Sequence, residues 1–301
     1  MTSPTSDTEV PAFWRGLGLP GLADIHVHFL PPRMLRRVWA HVEDTGQPAG
    51  ASWPIIYKWS DAERIEHLRL LGVRMFTALA YAHQPGMAAD LNAWTLDFAT
   101  RHAGCVPSAT FFPEPEVLRY TEVAIESGAK VFKVHLQVGD FDPNHRRLDP
   151  VWGLLCDTGV PVVLHVGSSP IQSVHTGPGP LGRLLRRHPR LPVVVAHAGA
   201  PEYGDFLELA TRYERVAVDT AMAFTRVAEQ RTPFPRAFLP QLQDLGLAGK
   251  VLLGSDFPNL PHPYAEQLSA LAGLNLGDDW LRAVFWENMS ALLNARSRPD
   301  R

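Results

Sequence analysis

Apolar runs of β type alternate with helical segments eight times along 301 residues, and six of the eight runs finish on histidine, lysine or aspartate. Those two observations predict an α/β protein whose parallel strands close into a single (β/α)8 barrel of the TIM type. Alternation demands right-handed crossovers, and eight units match closure. The length agrees, since such a barrel runs to about 250 residues plus insertions. An open doubly wound sheet is the runner-up, but no glycine fingerprint follows the first strand. No internal repeat or domain break interrupts the pattern, so residues 13–301 read as one domain. Residues 1–12, MTSPTSDTEVPA, are polar and rich in Pro, Ser and Thr. They read as a disordered tail and lack the apolar stretch of a signal peptide.

The first strand is Ala23-Asp24-Ile25-His26-Val27-His28-Phe29. Alternate residues on a strand share a face. Ile25, Val27 and Phe29 take one parity; Asp24, His26 and His28 take the other, which sets two imidazoles side by side. Asp24 lies deeper on that face, where a buried structural hydrogen bond is expected. A long insertion follows: Leu30-Pro31-Pro32, a basic segment over 33–42, a Gly/Pro-rich stretch over 45–54, then Ile55-Ile56-Tyr57-Lys58-Trp59. Ser60 and Glu63 form a capping box, so a helix opens at Asp61 and closes at Gly72. Strands are predicted over 73–81, 105–112, 130–136, 160–166, 191–197, 216–219 and 250–256. Helices are predicted over 87–102, 116–126, 149–156, 181–188, 202–213, 235–245, 264–271 and 279–293. Pro150 suits a first helical turn, and Gly128 suits a helix stop.

The net charge of −3 offers no electrostatic footprint for nucleic acid or an anionic membrane. No window approaches the ~20 apolar residues of a membrane span. Cys105 and Cys156 stand apart among apolar residues and read as buried thiols, neither disulfide nor zinc cluster. A cytoplasmic protein with a small-molecule substrate is expected.

In a barrel of this kind the active site lies at the C-terminal ends of the strands. The first strand ends at His26 and His28, the fourth at Lys133 and His135, the fifth at His165, the sixth at His197, the seventh at Asp219 and the eighth at Asp256. One histidine after an apolar run is more often a hydrogen-bonded core residue than a ligand. Six polar strand ends on one rim are hard to explain that way and point to a shared metal. Loops carry specificity. The insertion over 30–59, the loop 167–182 with His175, and the loop 220–234 would cover the pocket. Trp39, Trp53, Tyr57, Trp59, Phe224 and Phe234 lie in two of them, either lining an apolar pocket or packing at a subunit contact, which hints at a homodimer. Arg226, or one of Arg33, Arg36 and Arg37, is a candidate to hold a substrate carboxylate.

Taken with Lys133-Val134-His135, Leu164-His165-Val166-Gly167-Ser168, Ala196-His197-Ala198-Gly199, Gly254-Ser255-Asp256-Phe257-Pro258 and Trp286-Glu287-Asn288-Met289, the opening strand resembles the amidohydrolase superfamily. Within it the chain is similar to the branch grouped with aminocarboxymuconate semialdehyde decarboxylase, over nearly its whole length. The resemblance implies His26, His28, His165 and Asp256 as metal ligands. Asp256 would also accept a proton from the bound water, and His197 would polarise the substrate or act as acid and base. Three imidazoles and a carboxylate suit one divalent ion, with Zn2+ expected and Mn, Fe or Co as alternatives. In two-metal relatives a lysine at the position of Lys133 is carboxylated and bridges both ions; the one-metal pattern is the closer match. Lys133, His135, Asp219, His175 and Arg226 remain as residues facing the substrate or supporting the ligands. The function so implied is metal-dependent hydrolysis of a small-molecule amide, ester or lactone through a metal-activated water. The alternative is non-oxidative decarboxylation of a small aromatic or enoic acid. A metal-binding barrel without activity is the weakest reading, because both acid–base candidates are present.

Overall fold

The computed structural model describes residues 2–45 and 53–294, so most of the Gly/Pro-rich stretch predicted over 45–54, and residues 295–301, lie outside the described residues. Eight parallel strands follow in chain order: β1 (Leu22–Asp24), β2 (Val73–Thr77), β3 in two pieces (Cys105–Val106 and Ser108–Thr110), β4 (Val131–His135), β5 (Val162–His165), β6 (Val193–Val195), β7 (Val216–Asp219) and β8 (Val251–Leu252). Each pairs with the next in the chain. The break in β3 falls at Pro107, which has no N–H to give the ladder; its carbonyl still accepts from Lys130 N at 2.8 Å. The ring closes where Ile25 N donates to Leu253 O (2.9 Å) and Asp256 N to His26 O (2.8 Å), with a further bridge between Val27 and Phe257. The barrel expected from the alternation is therefore the fold.

Helices Ala88–Arg101, Val117–Glu126, Asp149–Thr158, Pro178–Arg187, Tyr203–Arg212 and Leu239–Leu247 carry the chain between successive strands. The capping box forms as expected, with Ser60 Oγ accepting from Glu63 N and the Glu63 carboxylate from Ser60 N. Gly72 ends that helix at φ 82°, where a Cβ would stand 2.6 Å from Trp14 Nε1. The last helical stretch runs Asp278–Arg282, a π turn Ala283–Glu287 and Asn288–Asn294. Asn288 Nδ2 there donates to Gly246 O and Val251 O, which ties it to the base of β8.

Ala23 and Ile25 pack with Val131, Val163, Val194, Ala217 and Leu252, which share the inward parity of the barrel strands. This corrects the parity expected for the first strand. The chain bends at Ile25, so Ile25 and His26 both face inward and Asp24 faces the other way. Asp24 Oδ2 accepts from Ser255 Oγ (2.5 Å) and Tyr264 OH (2.8 Å), and Oδ1 from His26 N and Ser255 N. Burial pushes this carboxyl up to about 7 against the pull of those four donors. Its structural role is as expected; its direction is not.

A second correction concerns the N-terminus. A disordered tail is expected through residue 12, but Asp7–Glu9 form a 3-10 turn and Val10–Gly16 a helix, with Val10 0% exposed. Asp7 anchors the segment: its carboxylate accepts from Tyr57 OH (2.5 Å), His67 Nε2 (2.9 Å) and Ala265 N (2.8 Å). A composition count misses this because one acidic residue finds three donors far away in the chain. Burial raises the Asp7 carboxyl, but the bonds from His67, Tyr57 and Ala265 outweigh it and hold it below the usual 3.8. A carboxyl lowered on folding stabilises above its unfolded pKa, and that stabilisation is lost as pH falls through the folded value. Asp7→Asn should cost about 1–3 kcal/mol at neutral pH and much less at about pH 2; urea unfolding at both pH values checks this.

The insertion supplies a helix, Pro32–Thr45, and its Val38, His41, Val42 and Trp53 reach the cavity at the strand ends. Its rings fold onto the chain itself. Tyr57 is buried, Trp53 Nε1 donates to Asn259 O (3.0 Å), and the Arg64 guanidinium lies 5.6 Å from the Trp39 ring. Among the described residues no helix is long and apolar enough to cross a membrane.

Candidate metal centre and active site

The strand ends converge on one cavity of about 220 Å³. His26, His28, Lys133, His135, His165, His197 and Asp256 all line it. Asp219 lies behind them, fully buried. His26 Nδ1 donates to Asp219 Oδ2 (2.8 Å), His28 Nδ1 to Leu79 O (2.8 Å) and His197 Nδ1 to Ala221 O (2.9 Å). A carbonyl or carboxylate only accepts, so each Nδ1 carries a proton and each Nε2 is the nitrogen left for the cavity. The ligand atoms of His26, His197 and Asp256 lie within 4.8 Å of one another. His28 Nε2 is 3.0 Å from Asp256 Oδ1.

Of the residues predicted as ligands, the structure thus brings His26, His28 and Asp256 together. His197, predicted as the acid–base group, stands in the same cluster. His165 is on the same wall, its ring 4.8 Å from that of His197, but its Nε2 bonds Ser169 O at 3.0 Å. His135 pairs with His165 in the β4–β5 register, and the two rings stack at 3.9 Å and 11°. Asp219 orients His26 and also accepts from His197 N (2.9 Å) and Ala221 N (3.0 Å). The last bonds hold a turn in which His197 (φ 58°) and Ala198 (φ 51°) are both left-handed, strain of the kind stored at functional sites.

Two predicted residues stay outside the cavity. His175 lies 3.9 Å from exposed Asp140, and Arg226 is exposed with its N donating to Glu266. Trp53, expected either to line an apolar pocket or to pack at a subunit contact, does line the cavity, and so do Tyr81, Arg231 and Asn259, which the sequence reading does not single out. Tyr81 ends the β-type run after β2, so the strand-end rule would have found it. Asn259 Nδ2 donates to Asp256 Oδ1 at 3.2 Å. Arg231 lies 4.8 Å over the Trp53 ring, a contact between the end of a short helix and a distant loop that no local pattern announces.

The amidohydrolase family model, the one named Amidohydrolase, matches residues 23–294. The chain belongs to the amidohydrolase family. No relative emerges among curated proteins. Among solved structures, this amidohydrolase is similar to an uncharacterized TIM-barrel protein from Bordetella bronchiseptica (TM-score 0.74, 19% identity, 92% of this chain and 100% of that one). It is also similar to 5-carboxyvanillate decarboxylase from Novosphingobium aromaticivorans, complexed with manganese and a nitrobenzoic acid (0.62, 14%, 91% and 96%). A third is a probable 2-pyrone-4,6-dicarboxylic acid hydrolase from Acinetobacter baumannii (0.58, 14%, 91% and 99%). At these identities the likeness shows the fold. Family membership makes the chain an enzyme of a metal-dependent group whose chemistry includes hydrolysis and decarboxylation.

The electrostatics of the amidohydrolase site favour a cation. Burial, reinforced by Lys133 beside His26 and His165 beside His135, holds the His26, His135 and His165 imidazoles well below the usual range, hence neutral. Burial would raise Asp256, but the contact with His28 and the imidazoles of His26 and His197 around it hold it well below the usual carboxylate range. Burial pulls buried Lys133 down to about 8, against the pull of Asp219 and Asp256, and its Nζ lies 3.1 Å from His26 Nε2. Asp219 is raised by burial and eased by His197 and Lys133.

Proposed function

We propose that this amidohydrolase binds one divalent ion, Zn2+, and hydrolyses a small-molecule amide, ester or lactone. One observation carries the metal site. His26 and His28 give Nδ1–H to protein acceptors and turn Nε2 into the cavity beside Asp256, with His165 on the same wall. His28 Nε2 faces Asp256 Oδ1 at 3.0 Å, a pair that a proton or a metal cation between the two atoms would satisfy. The donor set therefore fits a borderline ion. His26, His28, His165 and Asp256 would hold it.

A divalent ion there supplies Lewis acidity, which brings water ionisation near neutral pH and polarises a substrate oxygen. Asp256, held ionised, accepts the proton of the attacking water. It returns that proton to the leaving oxygen or nitrogen as the bond from the carbonyl carbon breaks. His197 Nε2, facing the cavity, would take up a proton and donate it to the carbonyl oxygen. Lys133 stays a buried ammonium beside His26. Two free buried thiols, Cys105 and Cys156, suit the cytoplasm.

Chelation should abolish turnover, and one equivalent of Zn2+ should restore it; elemental analysis reads the count. Two equivalents with a carboxylated Lys133 would overturn the one-metal reading. His165→Ala should lose the metal, whereas His197→Ala should keep it and lose turnover. The reverse result would exchange the two roles. A panel of lactones, aryl esters and amides, run beside CO2 release from aromatic and enoic acids, tests the reaction class. CO2 release without hydrolysis would make the enzyme a carboxy-lyase.

A further inference from the structure

We infer that Tyr81 is a catalytic residue: its hydroxyl donates a hydrogen bond to the substrate oxygen on which negative charge develops. The assignment rests on reading the histidine-lined cavity as the active site.

A buried tyrosine hydroxyl nearly always finds a protein partner. Four tyrosines of this chain do so. Tyr57 donates to Asp7, Tyr120 to Phe112 O, Tyr203 to Thr232 O and Tyr264 to Asp24. All four are buried. Tyr81, half-buried, lines the cavity and has no such acceptor among the described residues. Nor is its oxygen sealed in apolar surroundings, since it is not among the buried polar atoms left without a partner. The hydroxyl therefore opens onto the cavity.

The ring is held where such a donor is useful. Its centroid lies 6.0 Å from that of His28 at 86°, edge to face, and 5.2 Å from that of His135 at 50°. It thus sits between an imidazole predicted to hold the metal and one at the end of β4. Preorganised donors of this kind cost no reorganisation when charge appears. The role serves a tetrahedral oxyanion in hydrolysis, and it serves an enolate or phenolate oxygen in decarboxylation. No proton leaves the tyrosine in either case.

Arg231 is an alternative anchor for an anionic substrate, but it lies at the mouth against Trp53, away from the histidine cluster. The two residues would hold different parts of one molecule.

Tyr81→Phe removes the oxygen and keeps both ring contacts, and Tyr81→Leu removes the ring as well. Phenylphosphonate, whose tetrahedral anionic oxygens mimic the developing charge, is titrated calorimetrically into Zn2+-loaded protein. Losing one hydrogen bond to a charged acceptor should weaken binding about 10- to 100-fold in Tyr81→Phe at unchanged metal content. The kcat for 4-nitrophenyl acetate should fall by about 10²-fold with KM within threefold. If phenylphosphonate fails to bind the parent protein, or if Tyr81→Phe binds it within twofold while Tyr81→Leu does not, the assignment is overturned. If phosphonate binding weakens as expected but neither esters nor lactones turn over, Tyr81 stands and the hydrolase reading falls.

Discussion

Asp256→Asn should lower kcat by about 10³-fold while leaving the barrel folded, because the change removes a base and weakens one proposed metal ligand without changing the side chain's shape. Asp256 sits at φ 72°, a left-handed conformation that asparagine adopts as readily as aspartate. Its backbone N–H still donates to His26 O, so the bond that helps close the ring survives. Asparagine has the same volume and can still accept from Asn259 through its oxygen. What it lacks is the negative charge opposite His28 and the capacity to take a proton from water. The effect should appear in kcat at matched metal content, with a melting temperature within a few degrees of the parent. A loss smaller than tenfold in metal-matched samples would remove Asp256 from the chemistry.

Asp219→Ala should reduce metal affinity by about 10- to 100-fold, although Asp219 is not proposed to touch the metal. Three donors converge on its two oxygens: His26 Nδ1, His197 N and Ala221 N. Without the carboxylate, His26 loses the acceptor that keeps its proton on Nδ1, and its Nε2 lone pair is no longer assured. The left-handed turn at His197 and Ala198 loses the bond that holds it. Each buried donor left unpaired costs about 1–3 kcal/mol. Unfolding of the metal-free protein should therefore also shift, which separates the supporting role from ligation. Asp219→Asn should be milder on stability, since one oxygen remains. It should still weaken the metal, because the amide NH2 confronts a donor. Metal competition titrations and denaturant melts of both variants in the metal-free state check these expectations.

Much of this enzyme was legible in the linear chain because its signals are local. The apolar runs carry the strands, and the polar residue that terminates each run must emerge on one rim once parallel strands close. That is why His26, His28, Lys133, His135, His165, His197 and Asp256 could be gathered without coordinates. The same rule reaches Tyr81, which closes the run after β2.

The remainder depends on residues that meet only in three dimensions. The sequence leaves Asp219 either facing the substrate or supporting the ligands; the structure decides by placing it against His26, 193 residues away. Asp7 looks like part of a polar tail until Tyr57, His67 and Ala265 arrive around it. A bend at Ile25 breaks a parity that a straight strand would keep, and turns Asp24 toward Ser255 and Tyr264. Arg226 and Arg231 share a short helix, and only packing against Trp53 puts the second at the mouth and leaves the first in solvent. Chain periodicity determined which side chains stand at the rim. Closure of the barrel and the crossing of its loops decided which nitrogen of each imidazole faces inward, because that depends on acceptors contributed by other strands.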